Sequence, residues 1–178
     1  MDDVSAASSA VRRVRSISCV LPSFNEAENL EALLPLLTAK LAGLAPLWEI
    51  VVVDDGSTDE TGERLLHWVR QPGIRVMRLS RNFGKEAALT AGLQAAKGEV
   101  VIMMDADMQH PLALLDTFVQ HWGAGADVVY AMRSHRDAES RFKRVGTRWF
   151  YGLLNRGDRF KVPVDAGDFR LMDRAVVR

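Results

Sequence analysis

The sequence predicts an α/β fold in which a mostly parallel sheet is flanked by helices, and two observations predict it. Short apolar runs rich in Val and Ile alternate along the chain with segments whose apolar residues recur at helical spacing. The runs are almost continuously apolar rather than alternating, as expected of strands with neither face in water. A chain of 178 residues with 48% hydrophobic content can bury one substantial core, so the pattern is assigned to a single domain.

The elements follow in order. Residues 1–15, MDDVSAASSAVRRVR, hold no apolar stretch long enough for a signal peptide and read as a flexible tail, which places the domain at 16–178. Ile17 to Leu21 is the first strand, ended by Pro22. From Glu26 to Leu41 a helix is predicted, with Leu30, Leu33, Leu34, Leu37 and Leu41 on one face and Asn25 placed to cap it. Ile50 to Val53 is the second strand, and the turn DDGSTDE offers Ser57 or Thr58 as cap for a helix through Arg70. Ile74 to Leu79 and Glu99 to Met104 are further strands, separated by an Ala- and Leu-rich helix from Lys85 to Ala96 that ends at Gly98. Pro111 starts another helix, and Asp127 to Ala131 is a fifth strand. No internal repeat or linker interrupts the series, and no run approaches the roughly 18 apolar residues of a membrane span.

Charge is unevenly laid out. Lys plus Arg and Asp plus Glu both total 23, yet Arg133 to Lys161 carries nine basic residues against three acidic, while Met1 to Met132 carries 11 against 17. An acidic body with a basic segment suits a metal site in one place and an anionic partner in another, and nucleic acid is not the partner expected. The one cysteine, Cys19, lies in the first strand and forms no internal disulfide, which fits a reducing compartment.

Open parallel sheets bind ligands at the carboxyl ends of their strands. Four such ends here are polar: PSFNE, DDGSTDE, SRNFGK and DADMQH. One alone would read as a turn built from Asp and Asn, whereas four on one rim point to a site. Glu26, Asp54, Asp55, Asp105 and Asp107 offer acceptors to a nucleoside or a metal, and Arg81 and Lys85 offer charge to phosphate. Neither GxGxxG nor GxxxxGK[ST] occurs, so dinucleotide and P-loop phosphate binding are not signalled. Asp105-x-Asp107 can turn two carboxylates toward one divalent cation that bridges diphosphate oxygens, and hard oxygen ligands favour Mg2+ or Mn2+ over zinc. The structural alternative makes Asp105 a turn residue and Asp107 a helix cap.

VLPSFNEAENL, EIVVVDDGSTDET, LSRNFGKEAALTAGLQAAKGEVVIMMDADMQHP and DAGDFRLMDR together resemble the family 2 glycosyltransferases of GT-A (Rossmann-like) fold, from about Ser16 to the last residue. Within them the chain looks most like the polyprenyl-phosphate glycosyltransferases, the group of dolichol-phosphate mannose synthase and the bacterial undecaprenyl-phosphate sugar transferases. The resemblance implies that Pro22, Phe24 and Glu26 hold the nucleotide of a UDP- or GDP-sugar, with Asp54 or Asp55 reaching base or ribose and Arg81 and Lys85 the diphosphate. Phe24 stands where tyrosine is frequent, and Lys85 could equally cap its helix or lie in solvent. Asp105, Asp107 and Gln109 are the implied metal set for Mg2+ or Mn2+. Asp107, Asp168 and Arg170 are the implied catalytic set, with Asp168 toward acceptor or sugar and Arg170 toward phosphate; a salt bridge steadying a loop is the structural alternative for the last two. Asp165 is a weaker candidate, and Asp173 reads as a helix cap. Arg133, Lys143 and Thr147 would bind the lipid phosphate, and the spacing of Lys143 and Thr147 makes them neighbours on a helix.

That helix is expected from the residues themselves. In 139–156, Phe142, Val145, Trp149, Phe150, Leu153 and Leu154 form one apolar face, with Arg141, Arg144 and Arg148 on another. Cationic residues with Trp149 and Tyr151 suit an anionic bilayer surface, so a C-terminal amphipathic interfacial helix is predicted; packing on its own domain is the alternative. The reaction the resemblance implies is inverting transfer of a sugar to an undecaprenyl or dolichyl phosphate at the cytoplasmic face of the membrane. A lipid monophosphate is already anionic, so positioning and charge stabilisation replace a strong base. Many members of this group continue into a further interfacial helix and a pair of transmembrane helices. This chain stops at Arg178 without that region, and is expected to attach weakly through 139–156 alone. Pairing with a second chain through its apolar C-terminal helices remains open, as do a hydroxyl acceptor, a noncatalytic nucleotide-sugar-binding module and a DxD phosphatase of haloacid-dehalogenase type. Against the phosphatase stands Gln109, where such enzymes usually carry Thr or Val.

Overall fold

The computed structural model describes residues 12–131 and 169–177. Its elements are β1 (Ser16–Ser23), α1 (Ala27–Leu44), β2 (Leu47–Asp54), α2 (Thr61–Trp68), β3 (Ile74–Arg78), α3 (Lys85–Ala95), β4 (Val100–Met103), α4 (Leu114–Gly123), β5 (Val128–Tyr130), β6 (Arg170–Asp173) and a short α5 (Arg174–Val177). One six-stranded sheet runs in the order β3-β2-β1-β4-β6-β5. The β3-β2-β1-β4 portion is parallel, and β6 runs antiparallel to both β4 and β5.

The strands are buried on both faces for the reason the sequence suggests. Their alternate side chains feed two cores: Ile17, Cys19, Leu21, Ile50, Val52, Val100 and Ile102 face α1, α2 and α4, while Val20, Val51, Val53, Val101 and Met103 face α3. On the first face α1 contributes Leu30, Leu33, Leu34, Leu37 and Leu41, each almost fully buried and worth about 2 kcal/mol of transfer free energy. On the second, α3 lies close to the sheet because Gly92 has no side chain: a Cβ there would stand 2.3 Å from Val20 Cγ1. Cys19 is wholly buried, and burial pushes its thiol far up, so it behaves as a small apolar group. Chain order reverses between β1 and β4, and this switch point opens a crevice beyond their carboxyl ends.

Several expectations are corrected. Residues 12–15, expected within a flexible tail, are tied to the domain: Arg12 stacks over the Trp122 ring at 4.5 Å and donates to the Trp122 carbonyl at 2.9 Å, and Val14 is buried. Strand β6 is absent from the sequence reading, since RLMD is short and charged at both ends. The residue before α1 is Glu26, and the Asn25 side chain accepts instead from Thr58 N–H at 2.9 Å across the loop. Neither Ser57 nor Thr58 caps α2, which starts after Glu60, takes a bond from Thr61 N–H to Asp59 Oδ1, and ends at Trp68 rather than Arg70. Helix α4 begins at Leu114, with Pro111 in the turn before it. Asp173 does act as a cap, accepting from Ala175 N–H at 2.9 Å. That bond, with Trp122 and Arg12 beside it, holds its carboxyl below the usual range despite partial desolvation. The interfacial segment 139–156 lies outside the described residues. Among those described, no helix is long and apolar enough to cross a membrane.

Candidate active site

Three loops at the carboxyl ends of β1, β2 and β3 are stitched together before any ligand is considered. Asn25, at φ 56°, donates its N–H to Ser57 Oγ at 2.9 Å, and Glu26 N–H donates to Thr61 Oγ1 at 3.0 Å. Asp55, 3% exposed, accepts from Phe83 N–H on one carboxylate oxygen and Gly84 N–H on the other, both at 2.8 Å. Gly56, at φ 68°, lets this turn press on the next loop, where a Cβ would meet the Arg81 carbonyl carbon at 2.4 Å. Position and conformation both exclude a side chain there.

The loops enclose an open cavity of about 400 Å³ lined by Pro22, Phe24, Glu26, Asp55, Lys85, Asp105 and Asp107, with Ser23, Asn82, Gly84, Ala88 and Ala106 completing the wall. Pro22 and Phe24 give one apolar side, and Phe24 is 40% exposed. Among the described residues, four carboxylates and one ammonium line the cavity. Glu26 accepts from the Asn29 amide at 2.5 Å, and Asp105 Oδ1 stands 2.5 Å from Lys85 Nζ. Asp107 folds back on its own loop, accepting from Gln109 N–H at 3.0 Å, while Met108 between them takes φ 57°, a left-handed conformation that costs about 1 kcal/mol in a non-glycine residue.

Of the residues expected at the site, the structure thus brings together Pro22, Phe24, Glu26, Asp55, Lys85, Asp105 and Asp107. Asp54 does not line the cavity. It is buried beneath the turn, accepting from Ser57 N–H at 2.8 Å with Arg78 Nε 3.3 Å from its other oxygen, and so shapes the turn. Arg81 lies one residue before the wall with its guanidinium 4.7 Å over the Phe83 ring, and Gln109 is exposed beyond Asp107. Arg170 is on a strand rather than a loop: it pairs in register with Met103, two residues before Asp105, so β6 delivers it to the carboxyl end of β4. Asp168, Arg133, Lys143, Thr147 and Asp165 lie outside the described residues. Lys85 is not a helix cap, since α3 begins with it and an ammonium can only donate where a helix start needs acceptors.

Sequence reasoning misses Ser23 and Asn82 in the wall, and it misses an aromatic stack: His110 lies on Phe169 at 4.7 Å between centroids, Phe169 on Phe118 at 4.8 Å, and His110 Nε2 is 3.9 Å from Asp105 Oδ2. The stack joins the Asp105 loop to the strand of Arg170. No local signal in the sequence points to it, because His110 and Phe169 are 59 residues apart.

A divalent cation fits this donor set. Among the described residues no group of three His, Cys, Asp or Glu is disposed to hold a metal. Mg2+ and Mn2+, however, are commonly held by one or two carboxylates with substrate phosphates and water completing the shell, and Asp105 and Asp107 on one wall supply those two. An all-oxygen set of this kind suits these hard cations better than zinc, whose usual ligands are nitrogen and sulfur.

Residues 18–178 match glycosyl transferase family 2. The chain is 43% identical over 162 residues to an uncharacterized glycosyltransferase of Synechocystis, covering 90% of this chain and 51% of that protein. It is 42% identical over 164 residues to the bactoprenol glucosyl transferase of Shigella phage SfV, covering 90% and 53%. It therefore spans about half the length of these curated relatives. Among solved structures it is similar to a mannosyltransferase from Pyrobaculum calidifontis in complex with GDP-Man and Mn2+, with 25% identity, a TM-score of 0.64, and coverage of 94% of this chain and 47% of that one.

Proposed function

Since the chain belongs to glycosyl transferase family 2, we propose that it carries the catalytic domain of an inverting, metal-dependent enzyme that moves a sugar from a UDP- or GDP-sugar to a polyprenyl phosphate. The reaction is assigned to the cytoplasmic face of a membrane. The observation that carries this reading is the acidic cavity at the β1/β4 switch point, where Asp105 and Asp107 adjoin Lys85. An acidic pocket takes a diphosphate only with added cations, and the bactoprenol glucosyl transferase relative and the GDP-Man and Mn2+ of the mannosyltransferase support both halves of the assignment. Family membership replaces the phosphatase reading.

Asp105 and Asp107, with Gln109, would hold Mg2+ or Mn2+, which when bound offsets the negative charge of the departing nucleoside diphosphate. Pro22 and Phe24 offer an apolar wall to the nucleoside. Asp55 and Glu26 offer acceptors to base and ribose, and Asp54 acts beneath them by fixing the turn. Lys85 and Arg81 supply charge to the diphosphate, and Arg170 brings a further cation beside β4. Arg133, Lys143 and Thr147 are assigned to the acceptor phosphate and Asp168 to the acceptor or sugar. A phosphate acceptor is already ionised near neutral pH, so these residues aim it at the anomeric carbon and stabilise charge rather than remove a proton.

Calorimetric titration with UDP-glucose and GDP-mannose, in Mn2+ and then in EDTA, tests the reading. One donor should bind in Mn2+ only, and Asp107→Asn should weaken that binding by about tenfold or more. Binding that ignores EDTA, or none to any nucleotide sugar, would overturn it.

A further inference from the structure

The placement of Lys85 needs a reason beyond its own helix. It is the first residue of α3, where the positive end of the helix dipole disfavours a cation and where its ammonium can satisfy no backbone N–H. Gly84 at φ 96° precedes it, held by the Asp55 carboxylate, so the start of α3 is fixed against the cavity. From there the Lys85 side chain reaches Asp105, with Nζ 2.5 Å from Oδ1. Among the described residues, the other charged groups lining the cavity are Glu26, Asp55 and Asp107, all acidic, and His110 approaches the far oxygen of Asp105 at 3.9 Å.

Resting on the metal-dependent transferase reading, we propose that Lys85 is the resident counter-cation of Asp105. Its ammonium occupies the carboxylate that a divalent ion needs, so the ion is admitted together with the diphosphate that draws Lys85 away. The charge argument is direct. Without ligand, three other carboxylates around Asp105 would attract any divalent ion in the medium, and the ammonium lowers that attraction. When a nucleoside diphosphate enters, its oxygens offer Lys85 an alternative anion of higher charge, and the freed Asp105 turns to the metal. One side chain thereby couples two binding events, making each ligand tighten the other by the same factor. Futile occupation of the site by metal alone is suppressed.

The test measures Mn2+ alone, by electron paramagnetic resonance of the free aqua ion, on the 178-residue chain, then repeats the titration with UDP and with GDP. In the wild type Mn2+ alone should bind weakly and the nucleotide should tighten it. Lys85→Met should bind Mn2+ alone about tenfold more tightly and gain less from the nucleotide, whereas Lys85→Arg, which keeps the charge, should follow the wild type. Far-UV circular dichroism confirms that both variants fold. If Lys85→Met binds Mn2+ no more tightly than the wild type while nucleotide binding remains metal-dependent, the counter-cation role is wrong and the transferase reading stands. If no form binds either nucleotide, the transferase reading fails, and the Mn2+ comparison alone still decides the role of Lys85.

Discussion

Asp55 commits both carboxylate oxygens to the backbone of a neighbouring loop, and that commitment sets the position of everything downstream of Gly84. Charged acceptors of this kind are worth about 1.5–3 kcal/mol each, and removal leaves the Phe83 N–H without this acceptor and the Gly84 N–H with Asn82 Oδ1 alone, at 3.0 Å. Asp55→Ala is therefore expected to lower stability by about 2–4 kcal/mol in urea denaturation. Asp55→Asn, which keeps one acceptor oxygen, should lose roughly half as much. Because the same carboxylate faces the cavity, Asp55→Asn should also weaken nucleotide binding, and the two effects separate by titrating at a urea concentration where the variant is fully folded. Unchanged stability in Asp55→Ala would mean that the loop holds itself without the carboxylate. Asp54 shows the converse: adjacent in sequence and equally acidic, it lies beneath the turn and lines a different recess with Arg78 and Val76. Asp54 closes β2 with its side chain on one face of the sheet, whereas Asp55 already belongs to the turn that borders the cavity.

At the scale of elements, the sheet is tied at its opposite rim by a single carboxylate. Glu49 on β2 accepts from Ser18 Oγ–H of β1 at 2.6 Å and from Lys97 N–H at 2.7 Å, and pairs with Arg75 of β3 at 2.8 Å. Burial works against its charge, but the bonds from Ser18, Arg75 and Lys97 prevail and hold the carboxyl below its ordinary value of 4.5. A depressed folded-state pKa contributes stability that is fully present above the unfolded value and is lost as pH falls through the folded one. The stability gap between wild type and Glu49→Gln should then be widest near neutral pH and shrink below about 4.5, read as urea midpoints over that range. A gap independent of pH would show that the carboxylate charge is not what holds the rim. On the helical side, Gly92→Ala forces a methyl against Val20 and Val53 and should cost about 1–3 kcal/mol in the same assay. The strands and helices of this half were legible in the sequence because their apolar spacing is regular: β1 to β4 and α1 to α3 fall within a few residues of expectation. The caps were not, because Asn25, Ser57 and Thr58 satisfy neighbouring loops, and sequence shows which side chains can accept but not whose N–H is nearest. Strand β6 escaped because an antiparallel strand inserted from a distant segment leaves no local period. For the site, the acidic residues were legible as a group from their strand ends, while the Asp105–Lys85 pair and the His110–Phe169 stack depend on a topology that only the folded sheet supplies.

The whole molecule divides its charge between an acidic described body and the basic segment 133–161, and the two have opposite consequences at a membrane. An acidic surface is repelled by anionic lipid, so the proposed attachment is expected from the basic segment, where each Lys or Arg near a bilayer surface contributes about 1 kcal/mol and an amphipathic helix would add apolar burial. Residues 139–156 carry Trp149, Phe150 and Tyr151 among Arg141, Lys143, Arg144 and Arg148. A single amphipathic segment of this size gives reversible binding, weaker than a membrane-spanning helix would. Flotation with vesicles rich in anionic lipid is expected to carry part of the protein upward. Raised salt should release it, since screening removes the electrostatic share, and Trp149→Ala with Phe150→Ala should reduce the floating fraction while the salt dependence persists. Neutral vesicles separate the contributions: protein that floats equally with them is held by the apolar face alone. Protein that stays at the bottom with anionic vesicles, and is unaffected by the double substitution, would place 139–156 against its own domain instead. The proposed assignment of Arg133, Lys143 and Thr147 to the lipid phosphate would then lose the membrane contact on which it depends.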